Sequence, residues 1–119
     1  MATDRSILII VPDLMFQSRL REQAAALAYG VAIADTDVAV IGALAAAPRL
    51  AAIDLHAAGI DWQAAVAAAV EQGVPVLAFG RHTEPGLLKA AADAGCARVV
   101  PRSQLVTELP QLIAETARA

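Results

Sequence analysis

Five short apolar runs punctuate the chain, and each is followed by a stretch with helical spacing. Ile7–Val11 is a continuous run of β-branched residues and leucine, ended by Pro12 and Asp13. Val31–Ala34, Leu50–Ile53, Val74–Phe79 and Ala97–Val100 are the other four. Runs without polar alternation suit strands buried on both faces, as in a parallel sheet. Between them, apolar residues at Met15, Phe16, Leu20, Ala24 and Leu27 mark a first helix over Leu14–Ala28, stopped by Tyr29-Gly30. Val38–Ala47 is the second. Trp62–Gln72 is the third, with Val66 and Val70 spaced for one buried face and Gly73 at its end. Glu84–Ala94 is the fourth, with Pro85 in its first turn and Thr83 as candidate cap. Ser103 is the candidate cap of a fifth helix running to about Thr116, which Pro110 should bend or delay.

Strand and helix alternating five times predict a parallel sheet covered on both faces. The expected architecture is a flavodoxin-like (βα)5 three-layer sandwich with strand order 2-1-3-4-5. The 119 residues suit one domain, 1–119. Hydrophobic residues reach 58% while aromatics are only 3%. The excess is mostly alanine, so helices should pack closely over an aliphatic core. The net charge of −3 comes with no basic block, which argues against nucleic acid as a direct partner. A single cysteine, Cys96, makes no intrachain disulfide. No signal-peptide pattern or membrane span is evident, so a cytoplasmic setting is expected.

In open α/β sheets, chemistry sits outside the carboxyl ends of the strands. The first run leads to Asp13 and the third to Asp54. With the first and third strands adjacent, these carboxylates are expected to face one crevice and attract a hard cation such as magnesium. Alone, Asp13 also reads as a helix cap and Asp54 as a strand-end residue. Arg81-His82-Thr83-Glu84 follows the fourth strand at the same crevice. It reads as a solvated loop, or as a source of anion contacts from Arg81 or His82.

Several segments carry a resemblance. They are Ile9-Ile10-Val11-Pro12-Asp13, followed by Arg19 and Leu20; Ala52-Ile53-Asp54-Leu55; Val74-Pro75-Val76-Leu77-Ala78-Phe79-Gly80; and Ala94-Gly95-Cys96-Ala97-Arg98-Val99-Val100-Pro101-Arg102-Ser103. Over roughly Ser6 to Ile113 the chain resembles the CheY-like receiver domain of bacterial response regulators. That family usually has an acidic pair after the first strand. Here Pro12 takes the first place and Asp13 keeps the second. Asp54 stands at the phosphoacceptor position. Gly80 replaces a Ser or Thr whose hydroxyl contacts the phosphoryl group, and Arg102 replaces a Lys. Ser103 stands where a Pro often follows, and Val99 replaces an aromatic switch residue.

The resemblance implies a stand-alone signalling domain of a two-component or phosphorelay system, of divergent, pseudo-receiver form and not an enzyme. It implies a weakly held magnesium ion at Asp13 and Asp54, and phosphoryl contacts from Arg102, Gly80 and Arg81. Phosphorylation of Asp54 is expected to be poor or absent. Output is expected through another protein, on the face of Glu84–Ala94 and Val99–Thr116, with occasional homodimers. One alternative uses the same crevice for a small molecule. Asp54-Leu55-His56-Ala57-Ala58-Gly59 matches the Asp-x-His-x-x-Gly of corrinoid-binding domains, with Ser103-Gln104-Leu105 downstream. In those domains, however, the histidine loop follows the first strand, and their later Gly-Gly has no counterpart after Leu105. Otherwise His56 reads as an exposed loop residue.

Overall fold

A computed structural model describes residues 5–118. Five strands and five helices alternate: β1 Ser6–Ile10, α1 Leu14–Ala26, β2 Gly30–Ile33, α2 Asp37–Ala45 and β3 Leu50–Asp54. They continue as α3 Trp62–Glu71, β4 Val76–Gly80, α4 Pro85–Asp93, β5 Arg98–Pro101 and α5 Arg102–Thr116. The strands form one sheet in the order β2-β1-β3-β4-β5, with every pairing parallel. This is the expected flavodoxin-like (βα)5 fold.

The period-2 alternation of strand side chains divides the core in two. Ile7 and Ile9 of β1, Leu77 and Phe79 of β4 and Val100 of β5 pack with Phe16 and Leu20 of α1 and Leu105, Leu109, Leu112 and Ile113 of α5. On the other face, Leu8, Ile10, Ile53, Val76 and Ala78 pack with Val40 and Leu44 of α2, Val66 and Ala69 of α3 and Ala91 of α4. Each fully buried leucine or isoleucine contributes about 1.5–3 kcal/mol relative to exposure. These two apolar layers therefore dominate the stability and leave the sheet's carboxyl edge to carry polar groups.

Local expectations fail where a backbone or packing demand prevails. Met15 is 86% exposed and Val70 is 51% exposed. On α3 the buried face is Ala65, Val66 and Ala69, because small residues let the helix lie close to the sheet. Strand β4 starts at Val76, two residues later than expected. The Val74 N–H is already donated to the Ala69 carbonyl at the end of α3 (2.8 Å), and Pro75 has no N–H to give. Thr83 does not cap α4; the cap position is Glu84, which makes no side-chain capping bond. Ser103 lies inside the first turn of α5, whose cap position is Pro101. Pro110 does distort α5: Glu108, two residues before it, leaves helical geometry at φ −121°.

Helix α1 is stopped before Tyr29-Gly30, by Ala28. Ala28 takes a left-handed φ of 65°, and the Tyr29 N–H reaches back to the Ala24 carbonyl at 2.9 Å. Gly73 closes α3 in the same left-handed region at φ 71°, and Gly95 follows α4 at φ 112°, both backbone conformations that glycine tolerates. No helix among the described residues is long and apolar enough to cross a membrane.

Candidate functional site

Strand β3 ends at Asp54, the one buried polar or charged residue among those described, 6% exposed. Its Oδ1 accepts the backbone N–H of His56 at 2.8 Å, so the carboxylate holds the turn that leaves the strand. Register decides what lies beside it. Asp54 pairs with Phe79 on β4, and Ile53 pairs with Ile10 on β1. Continuing that register by one residue puts Val11, just beyond β1 and 2% exposed, beside Asp54. Asp13 lies two residues farther on.

Asp13 caps α1, its Oδ1 accepting the Phe16 N–H at 3.1 Å. Its Oδ2 accepts from Arg102 Nη2 at 3.3 Å. The Phe16 N–H, then the Met15 N–H and the Arg102 guanidinium, hold its carboxyl below the usual carboxylate range, against an opposing desolvation. The Arg102 guanidinium also lies over the Phe16 ring, 4.6 Å from its centroid, and Phe16 meets Phe79 edge-on at 5.2 Å. These contacts bring Asp13 and Arg102 together. They leave Asp54 bonded to the β3–α3 turn instead. An open cavity of about 230 Å³ borders the pair, lined by Asp13, Met15, Phe16, Arg19, Arg102 and Val106.

Gly80, at the end of β4, pairs with Pro101. A Cβ on Gly80 would meet Leu88 Cδ2 at 3.2 Å, His56 Nε2 at 3.4 Å and Leu55 Cδ1 at 3.5 Å. Position 80 thus lacks a hydroxyl, and a side chain there would press on Leu88 and come into contact with the His56 imidazole. His56 is only partly exposed, contrary to its reading as a loop residue in solvent. Its Nε2 accepts the Arg81 backbone N–H at 3.2 Å and stands 3.4 Å from Glu84 Oε2. Arg81 Nη1 lies 3.6 Å from the same oxygen. His82 is exposed. Sequence reasoning missed Glu84 and the inward turn of His56; the available signal was Gly80, which leaves a gap for a neighbour to fill.

Among the described residues, no three His, Cys, Asp or Glu side chains gather in a group able to hold a metal ion. Cys96 is half-buried beside the core, and burial pushes its thiol up to about 11.

This fold, with an aspartate ending its third strand, is that of the receiver domains of response regulators. The chain matches NtrX from Brucella abortus with a TM-score of 0.74 and 17% identity, over 95% of this chain and 29% of that one. It thus spans under a third of that chain's length. It matches the signal receiver domain of the response regulator NarL from Mycobacterium tuberculosis with a TM-score of 0.75 and 20% identity, covering 96% of each chain. A response regulator from Burkholderia pseudomallei, solved with a phosphorylated aspartic acid, calcium ion and citrate, matches with a TM-score of 0.75. The identity there is 15%, over 94% of this chain and 69% of that one. At these identities the likeness is one of fold. No family model and no curated protein matches the chain significantly.

Proposed function

We propose that the chain is a receiver-like signalling module that acts through protein contacts and is phosphorylated poorly or not at all. The observation that carries this reading is the surroundings of Asp54. Its carboxylate is buried and bonded to the His56 N–H, and apolar Val11 follows directly on the end of β1 next to it. Gly80 brings no hydroxyl, and Leu88, with His56 and Leu55 close by, limits the room for a side chain there. A modified Asp54 would therefore gain few new contacts. A switch moves only as far as the differential interactions of its two states allow.

Magnesium demands a near-octahedral set of oxygen ligands. Asp54 offers one buried carboxylate, and both oxygens of Asp13 already accept hydrogen bonds, one from a cation. A magnesium ion held by Asp13 and Asp54, with water completing its shell, would compete with the Arg102 guanidinium for Asp13 and so be held weakly. Arg102 and Arg81 retain charge for an anion, but Arg102 is engaged by Asp13 and Arg81 neighbours Glu84. The proposed partner face remains α4, β5 and α5, over Glu84–Ala94 and Val99–Thr116. Homodimerisation through that face is part of the same proposal.

The test is intact mass after treatment with a small phosphodonor and magnesium, with Asp54→Asn as control. The expected result is little or no mass gain and unchanged partner binding. A stoichiometric gain that vanishes in the control, with altered partner binding, overturns the reading.

A further inference from the structure

Helix α2 is apolar on both of its faces. Val40 and Leu44 are buried against the sheet. On the opposite side Val38, Ile41, Gly42 and Ala45 follow helical spacing, and all four are exposed, Val38 by 84% and Ile41 by 50%. No charged residue occurs from Val38 to Pro48, nor from Trp62 to Val70 along most of the neighbouring α3. A surface helix ordinarily turns charged or polar residues to solvent. A contiguous exposed apolar stripe marks a contact with something else.

Gly42 is an independent observation on the same stripe. Glycine inside a helix is destabilising relative to alanine, so its presence calls for a reason. Nothing within the chain supplies one. The φ of Gly42 is not positive, and a Cβ there would meet nothing within 4 Å. What the glycine does provide is a hollow on the outer face, where another helix can approach closely.

We propose that the outer face of α2 is a two-fold contact with a second copy of this chain, the two α2 helices lying antiparallel. An isologous contact must be self-complementary, and this stripe is. With the axis passing between positions 41 and 42, Ile41 meets the partner's Gly42 and Val38 meets the partner's Ala45. Each pair sets a large side chain against a small one. The same arrangement brings the start of one α2, with exposed Asp35 and Asp37, beside the end of the other. There the exposed Arg118 donates to the Ala47 carbonyl at 2.7 Å. Antiparallel helices thus bring opposite charges together at both ends of the contact. A lipid surface fits less well, because α2 carries no Lys or Arg and the net charge is −3.

The nine residues of α2 span about 14 Å. Even with the exposed Ala64 and Ala67 of α3 alongside, that is less than the roughly 800 Å² per partner of stable complexes. The dimer is therefore weak and concentration-dependent. Its surface is distinct from α4, β5 and α5, so the inference stands apart from the proposed function.

The test is sedimentation equilibrium of the full chain from micromolar to millimolar concentration, with Val38→Lys, Gly42→Leu and Val106→Glu beside the wild type. The expected result is a monomer–dimer equilibrium whose dissociation constant rises by about tenfold or more in Val38→Lys and Gly42→Leu. Leucine is the better helix former and position 42 is open, so at dilution Gly42→Leu should melt no lower than the wild type. A purely structural glycine would not give a weaker dimer with an intact fold. Should Val38→Lys fold poorly, Gly42→Leu decides. A wild type that stays monomeric throughout, including one that binds lipid vesicles instead, overturns the proposal. A dimer unweakened in Gly42→Leu equally overturns it. Loss of the dimer in Val106→Glu alone does the same, and assigns the association to the face of the proposed function.

Discussion

Arg102 Nη2 and Asp13 Oδ2 stand 3.3 Å apart and join the first turn of α5 to the cap of α1. The pair is separated by 89 positions in sequence and is nearly half exposed on both sides. An exposed ion pair is weak by itself. This one gains from the Phe16 ring beneath the guanidinium and from the helix amides that already orient the carboxylate.

Replacing Asp13 should therefore lower stability in a pH-dependent way. Its carboxyl is held below the ordinary range, chiefly by the Phe16 N–H. The stabilisation is fully present above the unfolded-chain value, about 3.9, and disappears as pH falls through the lower folded value. Asp13→Ala should melt earlier than wild type near neutral pH, and the gap should close in strong acid. Asp13→Asn keeps a capping oxygen and should lie between the two. Thermal melts across acid and neutral pH read this directly. A gap that stays constant on acidification would remove the electrostatic account.

Asp54 should also prove structural. Asp54→Ala deprives the His56 N–H of its acceptor and should cost about 1–2 kcal/mol, whereas Asp54→Asn, which retains an oxygen, should cost less. Urea denaturation measures both. Equal stability of all three proteins would mean that the His56 N–H bond contributes nothing.

Gly80→Ser should not restore a phosphoryl contact. The new Cβ would crowd Leu88 at 3.2 Å, which must shift, and would touch His56 at 3.4 Å. A loss of about 1–3 kcal/mol is expected, as for other additions to filled sites. Denaturation and the His56 ring signals of the variant provide the check. An undisturbed ring and unchanged stability would show that position 80 has more room than its neighbours leave it.

Two alanines sit where glycine belongs. Ala28 has φ 65° and Ala47 has φ 54°. Left-handed geometry costs an alanine about 1–2 kcal/mol, while glycine gives back about 0.5–1 kcal/mol in unfolded-chain entropy. Ala28→Gly and Ala47→Gly should each stabilise the chain by about 0.5–1 kcal/mol. Melting temperatures of the two variants decide the matter, and a lower value in either would contradict it.

The same alanines mark where sequence reading stops. Gly73 and Gly95 announce positive-φ helix ends by their residue type, and Gly73 closes α3 where it was expected. Nothing in an alanine announces one, so the end of α1 was assigned to Tyr29-Gly30. The strands were legible because each is a continuous apolar run, and their number and spacing leave few topologies. Val70 misled because apolar spacing favours the larger side chain, whereas the α3 interface admits alanine. At the site, Asp54 was visible as an abrupt end to an apolar run. The His56–Glu84 contact was not, because the room it uses is bounded by Leu55, Gly80 and Leu88, which the chain brings together from the β3–α3 loop, β4 and α4.

The strand order also governs how molecules of this chain meet one another. The outer strands β2 and β5 have four residues each, and β5 ends in Pro101, whose nitrogen has no hydrogen to offer. Short borders with a proline give a neighbouring chain little backbone to zip onto. The long apolar stretches of β3 and β4, which would make the most dangerous templates for fibril growth, lie inside the sheet, paired on both sides. A chain so rich in apolar residues thus keeps its stickiest segments out of reach for as long as it remains folded.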